Sequence, residues 1–304
     1  MHQYLIGIDV GTSGCKSIII DEQGQIVAEA FSGYKISIPK AGWCEQDPED
    51  WWHAVNTTLK DLLENFEPVN NIVSIGLSGQ MHGMVLLDKD GKVLRPCILW
   101  SDQRTEKQCQ KIYSSVGGSD ELLKLTNNKM LTGYTGGKIM WSMENEPAIY
   151  EKTRIILNPK DYIRFRLTGE YATEVSDASG TGLFNVKERE WSFRLLDILG
   201  ISKGLLPKCY ESTEISGRIS SSISTKFGLP AGLPVAGGGG DAIVQSVGTG
   251  LVNNGVFGAT IGTGGQICTA LDNCVDNKDG KLQIFCNVIP DKWHAMGVML
   301  TAGG

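Results

Sequence analysis

Apolar positions at the start of the chain alternate with polar or small ones at a period of two, and glycine turns interrupt the alternation. The pattern predicts strands over 4–10, 15–20 and 26–31, joined by turns at 11–14 and 21–24: an antiparallel meander opening an α/β domain. The period then changes. Asp47-Pro48-Glu49-Asp50 offers an N-cap, a first-position proline and acids for the first turn. Val55, Leu59, Leu62, Leu63 and Phe66 follow at helical spacing, so an amphipathic helix is predicted over 48–66, with Trp51 and Trp52 in packing roles. The apolar run 72–77 is the next strand, parallel to the first because a helix separates them.

Further strands are expected at 84–87 and 97–100, and helices at 104–115, 138–150, 158–168 and 193–199. Residues 170–232 offer no evident chemistry. The hydroxyl-rich run 220–225 reads as ordinary surface, and Lys160 with Asp161 as an exposed ion pair.

The chemistry concentrates in glycine turns. A short strand ending at Val235-Ala236 runs into four glycines, 237–240, then Asp241, then a predicted helix over 242–247. A strand leading into consecutive glycines admits close approach of a ligand, and a lone carboxylate there can take a proton from a bound hydroxyl. The alternative is a flexible turn whose Asp caps the helix. Two other turns weigh against it. Asp9-Val10-Gly11-Thr12-Ser13-Gly14 and Thr260-Ile261-Gly262-Thr263-Gly264-Gly265 repeat one strand, Gly-Thr-x-Gly turn and strand, roughly 250 residues apart. Such turns leave backbone N–H groups free for phosphate, and Lys16 follows the first. Asp9 is an acid inside an apolar run, where a hydrated Mg²⁺ would supply the partner it needs. His82 and Trp100 both stand at expected strand ends, where open α/β sheets hold ligands.

Composition narrows the classes. The 304 residues suffice for two domains, and 38 glycines exceed the usual share of about 7%. A net charge of −6 without basic runs argues against nucleic acid. No apolar stretch approaches the roughly 20 residues of a membrane span, and Asp9 interrupts anything resembling a signal peptide. Eight scattered cysteines without C-x-x-C read as reduced thiols, so a cytoplasmic location is expected. A Rossmann dehydrogenase would need G-x-G-x-x-G entering a helix, whereas the first glycine turn here enters a strand.

With these segments in hand, the sequence resembles the FGGY carbohydrate kinases, most closely their xylulokinase branch. The resemblance is carried by Ile8 to Gly14, Glu45-Gln-Asp-Pro-Glu-Asp-Trp-Trp52, Gly79-Gln-Met-His-Gly83, Leu94 to Trp100, Pro159-Lys-Asp-Tyr162, Ser176-Asp-Ala-Ser-Gly-Thr181, Gly237 to Asp241 and Gly262-Thr263. It implies an α/β protein of the actin-like (ribonuclease H-like) ATPase fold. A sugar-binding lobe would span 1–247, and a nucleotide-binding lobe would begin at 248–304. It implies ATP and Mg²⁺ as cofactors, a ketopentose such as D-xylulose as acceptor, and room for a homodimer. By similarity, Asp241 is the proton acceptor and Asp9 an acid near the metal. Met81, His82 and Trp100 are sugar-binding, and Gly11, Thr12, Ser13, Gly14 and Lys16 with Gly262, Thr263 and Gly264 hold phosphate. Ala242, Ser101 and Gly264 depart from the family's usual Asn, Asn and Ser, which bears on which sugar is taken. Other sugars, polyols or sugar acids, and a non-catalytic actin-like nucleotide binder, are the competing readings. Family members are longer, so an N-terminal portion of the enzyme, inactive alone, is expected.

Overall fold

The computed structural model describes residues 2–261 and 265–299. Its centre is a seven-stranded mixed sheet. Strands β1 (Tyr4–Val10), β2 (Gly14–Asp21) and β3 (Ile26–Gly33) form the expected antiparallel meander. Helix α1 (Pro48–Leu63) crosses over to β4 (Ile72–Gly79), which pairs parallel to β1. Beyond β4 the sheet is completed by segments from much later: β5 (Ile215–Arg218), β6 (Pro234–Ala236) and the two-residue β7 (Gly239–Gly240). Both β6 and β7 run parallel to β4.

The alternation read along β1 is the alternation of its two faces. Ile6, Ile8 and Val10 are buried against α1 and its neighbours, in a core shared with Trp51, Leu59, Ile75, Leu77 and Val235. Gly7 and Asp9 point the other way, into a cavity. Asp47 caps α1 by accepting the Glu49 N–H, as expected, but the helix ends at Leu63 rather than 66. Trp51 packs in the core and donates its indole N–H to Gln46 at 3.0 Å.

A second, four-stranded antiparallel sheet comprises β8 (Phe257–Ile261), β9 (Gly265–Leu271), β10 (Gln283–Cys286) and β11 (Trp293–Met299). It packs through Ile284, Cys286 and Ala295 onto Val175, Ala178 and Phe184 of the first region. Strands β8 and β9 pair antiparallel, as the expected strand, turn and return strand require, with Ile261 opposite Gly265. The turn between them, Gly262, Thr263 and Gly264, lies outside the described residues.

Three expectations need correction. Lys160 and Asp161 are not an exposed pair. Both lie fully buried in helix 159–168, joined at 2.6 Å, with Arg164, Glu174 and Asp177 completing a network without solvent access. The stretch 170–232 therefore does carry buried polar chemistry, at residues 174–180. Residues 221–227 are a helix capped by Ser220, which buries Ile223, rather than plain surface.

Candidate functional site

The site is built on adjacent carboxyl ends of three parallel strands. Asp9 stands opposite Ser78, and Ser78 opposite Gly239. One rung further, Val10, Gly79 and Gly240 are aligned. Asp241 comes next and opens helix Asp241–Gly248. The glycines are required by close approach: a Cβ on Gly238, whose φ is +72°, would lie 2.1 Å from the Leu77 carbonyl oxygen. A Cβ on Gly240 would meet the Met81 side chain at 2.6 Å.

Asp241 sits where two cavities meet. The larger, about 1180 Å³, is floored by Gly7, Asp9, Gly76 and Ser78 and walled by Lys16 and Gly238. The smaller, about 820 Å³, is lined by Thr12, Met81, His82, Trp100, Tyr134 and Phe285. Asp241, Ala242 and Gln266 line both. Burial, reinforced by the charge of Asp9, pushes the Asp241 carboxyl up to about 7. Its Oδ1 accepts the Ala242 N–H at 2.7 Å. Burial also raises Asp9, opposed by a hydrogen bond from Ser78.

The sequence-predicted residues fall on both sides of this junction. Met81, His82 and Trp100 reach the smaller cavity, with Thr12. Asp9 and Lys16 reach the larger one. Lys16 is exposed and pairs with Glu29 at 2.8 Å. Gly11 closes the first turn through its N–H to the Gly14 carbonyl at 3.0 Å. Ser13 is exposed at the tip of that turn, and Gly14 is buried with the Phe31 ring where its Cβ would be.

His82 occupies a left-handed conformation, φ +67°. Its Nδ1 lies 2.6 Å from the Gly180 carbonyl oxygen and so carries the proton, which leaves Nε2 as an acceptor. The ring stacks on Tyr134 at 4.7 Å. Burial and the nearby Lys138 push its titration down to about 3, so the imidazole is neutral near pH 7.

Several supporting residues went unread. Gln46 donates to the Thr12 carbonyl at 2.8 Å and accepts from Gln80 at 2.9 Å, tying the first turn to the strand leading to His82. Fully buried Lys138 donates to the His82 carbonyl at 2.6 Å and to Gly133 at 2.7 Å. Lys138 had one available signal, a cation on the apolar stripe of a predicted helix. Tyr134 and Glu174 had none.

Mg²⁺ can be tested against the residues present. Asp9 Oδ1 is buried and has no hydrogen-bond partner among the described residues, as an oxygen awaiting a cation or its water would be. The donor set is hard oxygen, so the site fits the ion.

The chain matches the N-terminal domain of the FGGY family of carbohydrate kinases over residues 4–248. It is 38% identical to the xylulose kinase of Escherichia coli (strain K12) over 297 residues, covering 98% of this chain and 60% of that protein. The crystal structure of a xyloylose kinase from Brucella ovis superposes with a TM-score of 0.94 at 36% identity, over 99% of this chain and 61% of that one. A gluconate kinase from Lactobacillus acidophilus gives 0.91 at 27% identity, over 99% and 61%. The chain thus spans about 60% of the length of the relatives it matches. These neighbours share the actin-like ATPase fold expected above. A carboxylate at the junction of two cavities, glycine turns on parallel strand ends and a match over most of the sequence agree: the chain belongs to the FGGY family of carbohydrate kinases.

Proposed function

We propose that this chain supplies the sugar site and the proton acceptor of an ATP-dependent kinase for a neutral ketopentose, with D-xylulose converted to D-xylulose 5-phosphate in the whole protein. Residues 1–247 form the sugar-binding lobe, and 248–304 begin the nucleotide-binding lobe. The observation carrying the reading is the position of Asp241 between a polar, aromatic cavity and one floored by Asp9.

The choice of a neutral sugar rests on charge. Among the described residues, the smaller cavity is lined by no Lys or Arg, and its histidine is neutral. A sugar acid would bring a carboxylate into a space already holding Asp241 and Glu106, with no cation to pair it. Glutamines 103, 110, 266 and 283 and His82 Nε2 suit hydroxyl groups instead. Both the xylulose and the gluconate kinase similarities are compatible with the fold, and the absence of a lining cation among the described residues is what supports the neutral sugar.

In the proposed reaction the acceptor hydroxyl lies against Asp241. Its proton passes to the carboxylate as its oxygen bonds to the γ-phosphorus of ATP and the bond to ADP breaks. A base poised near the working pH contributes typically 10²–10⁴-fold. His82, Trp100 and Tyr134 orient the sugar, Thr12 of the first glycine turn borders the same cavity, and Lys16 lines the larger cavity proposed for the phosphates. Asp9 would hold Mg²⁺, which when bound neutralises phosphate charge.

Titration calorimetry of the 304-residue chain tests the sugar class. D-xylulose should bind at least about tenfold more tightly than gluconate. Gluconate binding as well or better, or no heat with either, overturns the reading.

A further inference from the structure

Asp241 accepts only the adjacent Ala242 N–H among the described residues, so its direction is set by the backbone that carries it. That backbone is held along its length. The N–H groups of Gly237 and Gly238 donate to the carbonyls of Glu214 and Ser212, at 2.8 and 3.0 Å. The Gly237 carbonyl accepts from Arg164. The Gly240 N–H, immediately before Asp241, has a side-chain partner instead: Ser176 Oγ at 3.0 Å.

Ser176 is fully buried and donates its own proton to Glu174 Oε1 at 2.8 Å. Glu174 is held in turn by the N–H groups of Ser176 and Asp177 and by the Ser212 hydroxyl, at 2.8, 2.8 and 2.6 Å, with Lys160 at 3.5 Å. A Cβ on Gly239 would approach Ser176 Oγ to 3.3 Å, so the loop lies directly on the hydroxyl. The same short segment ends at Gly180, whose carbonyl accepts from His82 Nδ1 and whose own Cβ would meet the His82 ring at 2.7 Å.

We propose that Ser176 is a positioning residue: by accepting the Gly240 amide while anchored on Glu174, it fixes the backbone from which Asp241 projects and its spacing from His82. The inference rests on the reading of Asp241 as proton acceptor. A hydroxyl suits the task because it accepts from the amide and donates to the carboxylate at once. Alanine would leave a buried N–H without a partner.

Ser179 supplies the comparison. It is a buried hydroxyl on the same helix, bonded to the Val175 carbonyl and the Cys286 N–H, and among the described residues it hydrogen-bonds neither the glycine loop nor His82. Amide exchange and ¹³C titration of Asp241 are followed by NMR in the unaltered chain, Ser176→Ala and Ser179→Ala. Ser176→Ala should speed exchange of the Gly240 amide by about tenfold or more and move the Asp241 titration down towards the ordinary carboxylate range. Ser179→Ala should leave both unchanged while lowering the melting temperature. Equal effects from the two variants, or none at Gly240 and Asp241, overturn the proposal. Should Ser176→Ala not fold, the unaltered chain still decides. There the Gly240 amide should exchange no faster than that of Gly238, and faster exchange overturns the proposal. The functional reading fails separately, if Asp241 of the unaltered chain titrates as an ordinary carboxylate and D-xylulose does not bind.

Discussion

The indole N–H of Trp100 donates to the hydroxyl of Thr12 at 3.0 Å, so the aromatic wall of the smaller cavity is bonded to the first glycine turn. The two residues are 88 positions apart and belong to what were read as separate duties, sugar and phosphate. Trp100→Phe keeps a ring and removes the donor. Loss of one such bond is worth about 0.5–1.5 kcal/mol, so D-xylulose affinity should fall roughly 2–12-fold. Stability should fall by no more than the worth of that one bond, because Trp100 is 43% exposed and the ring is kept. Calorimetry alongside thermal melts checks both, and unchanged affinity removes the coupling.

Asp241 makes stability depend on pH. Its carboxyl is pushed up to about 7 in the folded chain, from an ordinary 3.8, so the unfolded state ionises first. The stabilising effect of the protonated form is complete below about pH 4 and is lost as pH rises through 7. Asp241→Asn removes that loss. The variant should therefore gain stability over the unaltered chain at pH 8, by roughly 1–3 kcal/mol, and little at pH 4. Urea melts at the two pH values measure it. A gain of the same size at both sinks the assignment of a perturbed carboxyl.

Lys138 places a buried ammonium on the carbonyl of a residue whose backbone is left-handed. Lys138→Met would strip the His82 and Gly133 carbonyls of that donor, and among the described residues only the Thr135 hydroxyl, at 3.1 Å, would remain on the His82 carbonyl. D-xylulose binding should weaken by about tenfold or more, and folding stability should fall by about 1–3 kcal/mol. The pH trend is opposite to that of Asp241. Burial pushes Lys138 down to about 7 from 10.5, so stability climbs from pH 7 towards 10.5 as the unfolded chain sheds its extra proton. Melts at pH 7 and 9 should show that rise in the unaltered chain and not in the variant.

Local pattern carried the frame of the fold. Strand β1 alternates because one face packs on α1 and the other borders a cavity, and both facts are written in Ile6, Ile8 and Val10 against Gly7 and Asp9. Helix α1 was legible from Asp47 and Pro48 onwards, since capping is a matter of adjacent residues. Asp241 stood out only once the two Gly-Thr turns at 11–14 and 262–265 were set beside its glycine run, since that run alone could equally be a flexible turn with a capping Asp. Lys160 and Ser176 lay in segments that carried the resemblance, but their burial in one network with Glu174 was illegible for the converse reason. Nothing in a polar residue's neighbours along the chain says that charges from other segments will gather round it, and without them exposure is the sound default. The Trp100–Thr12 bond escaped notice in the same way, although both residues were named.

Strand β4 lies between β1, close by in the chain, and β6, whose Val235 pairs with Ile75 only after a very long excursion. At about 5–20 residues per second, a ribosome needs roughly 8–30 s to make the intervening segment. Throughout that interval the nascent meander and α1 can assemble while one border of β4 stays open to any extended peptide nearby. Productive synthesis of this protein should thus lean on holdase chaperones that cover that border until Val235 emerges, more than its final stability would suggest.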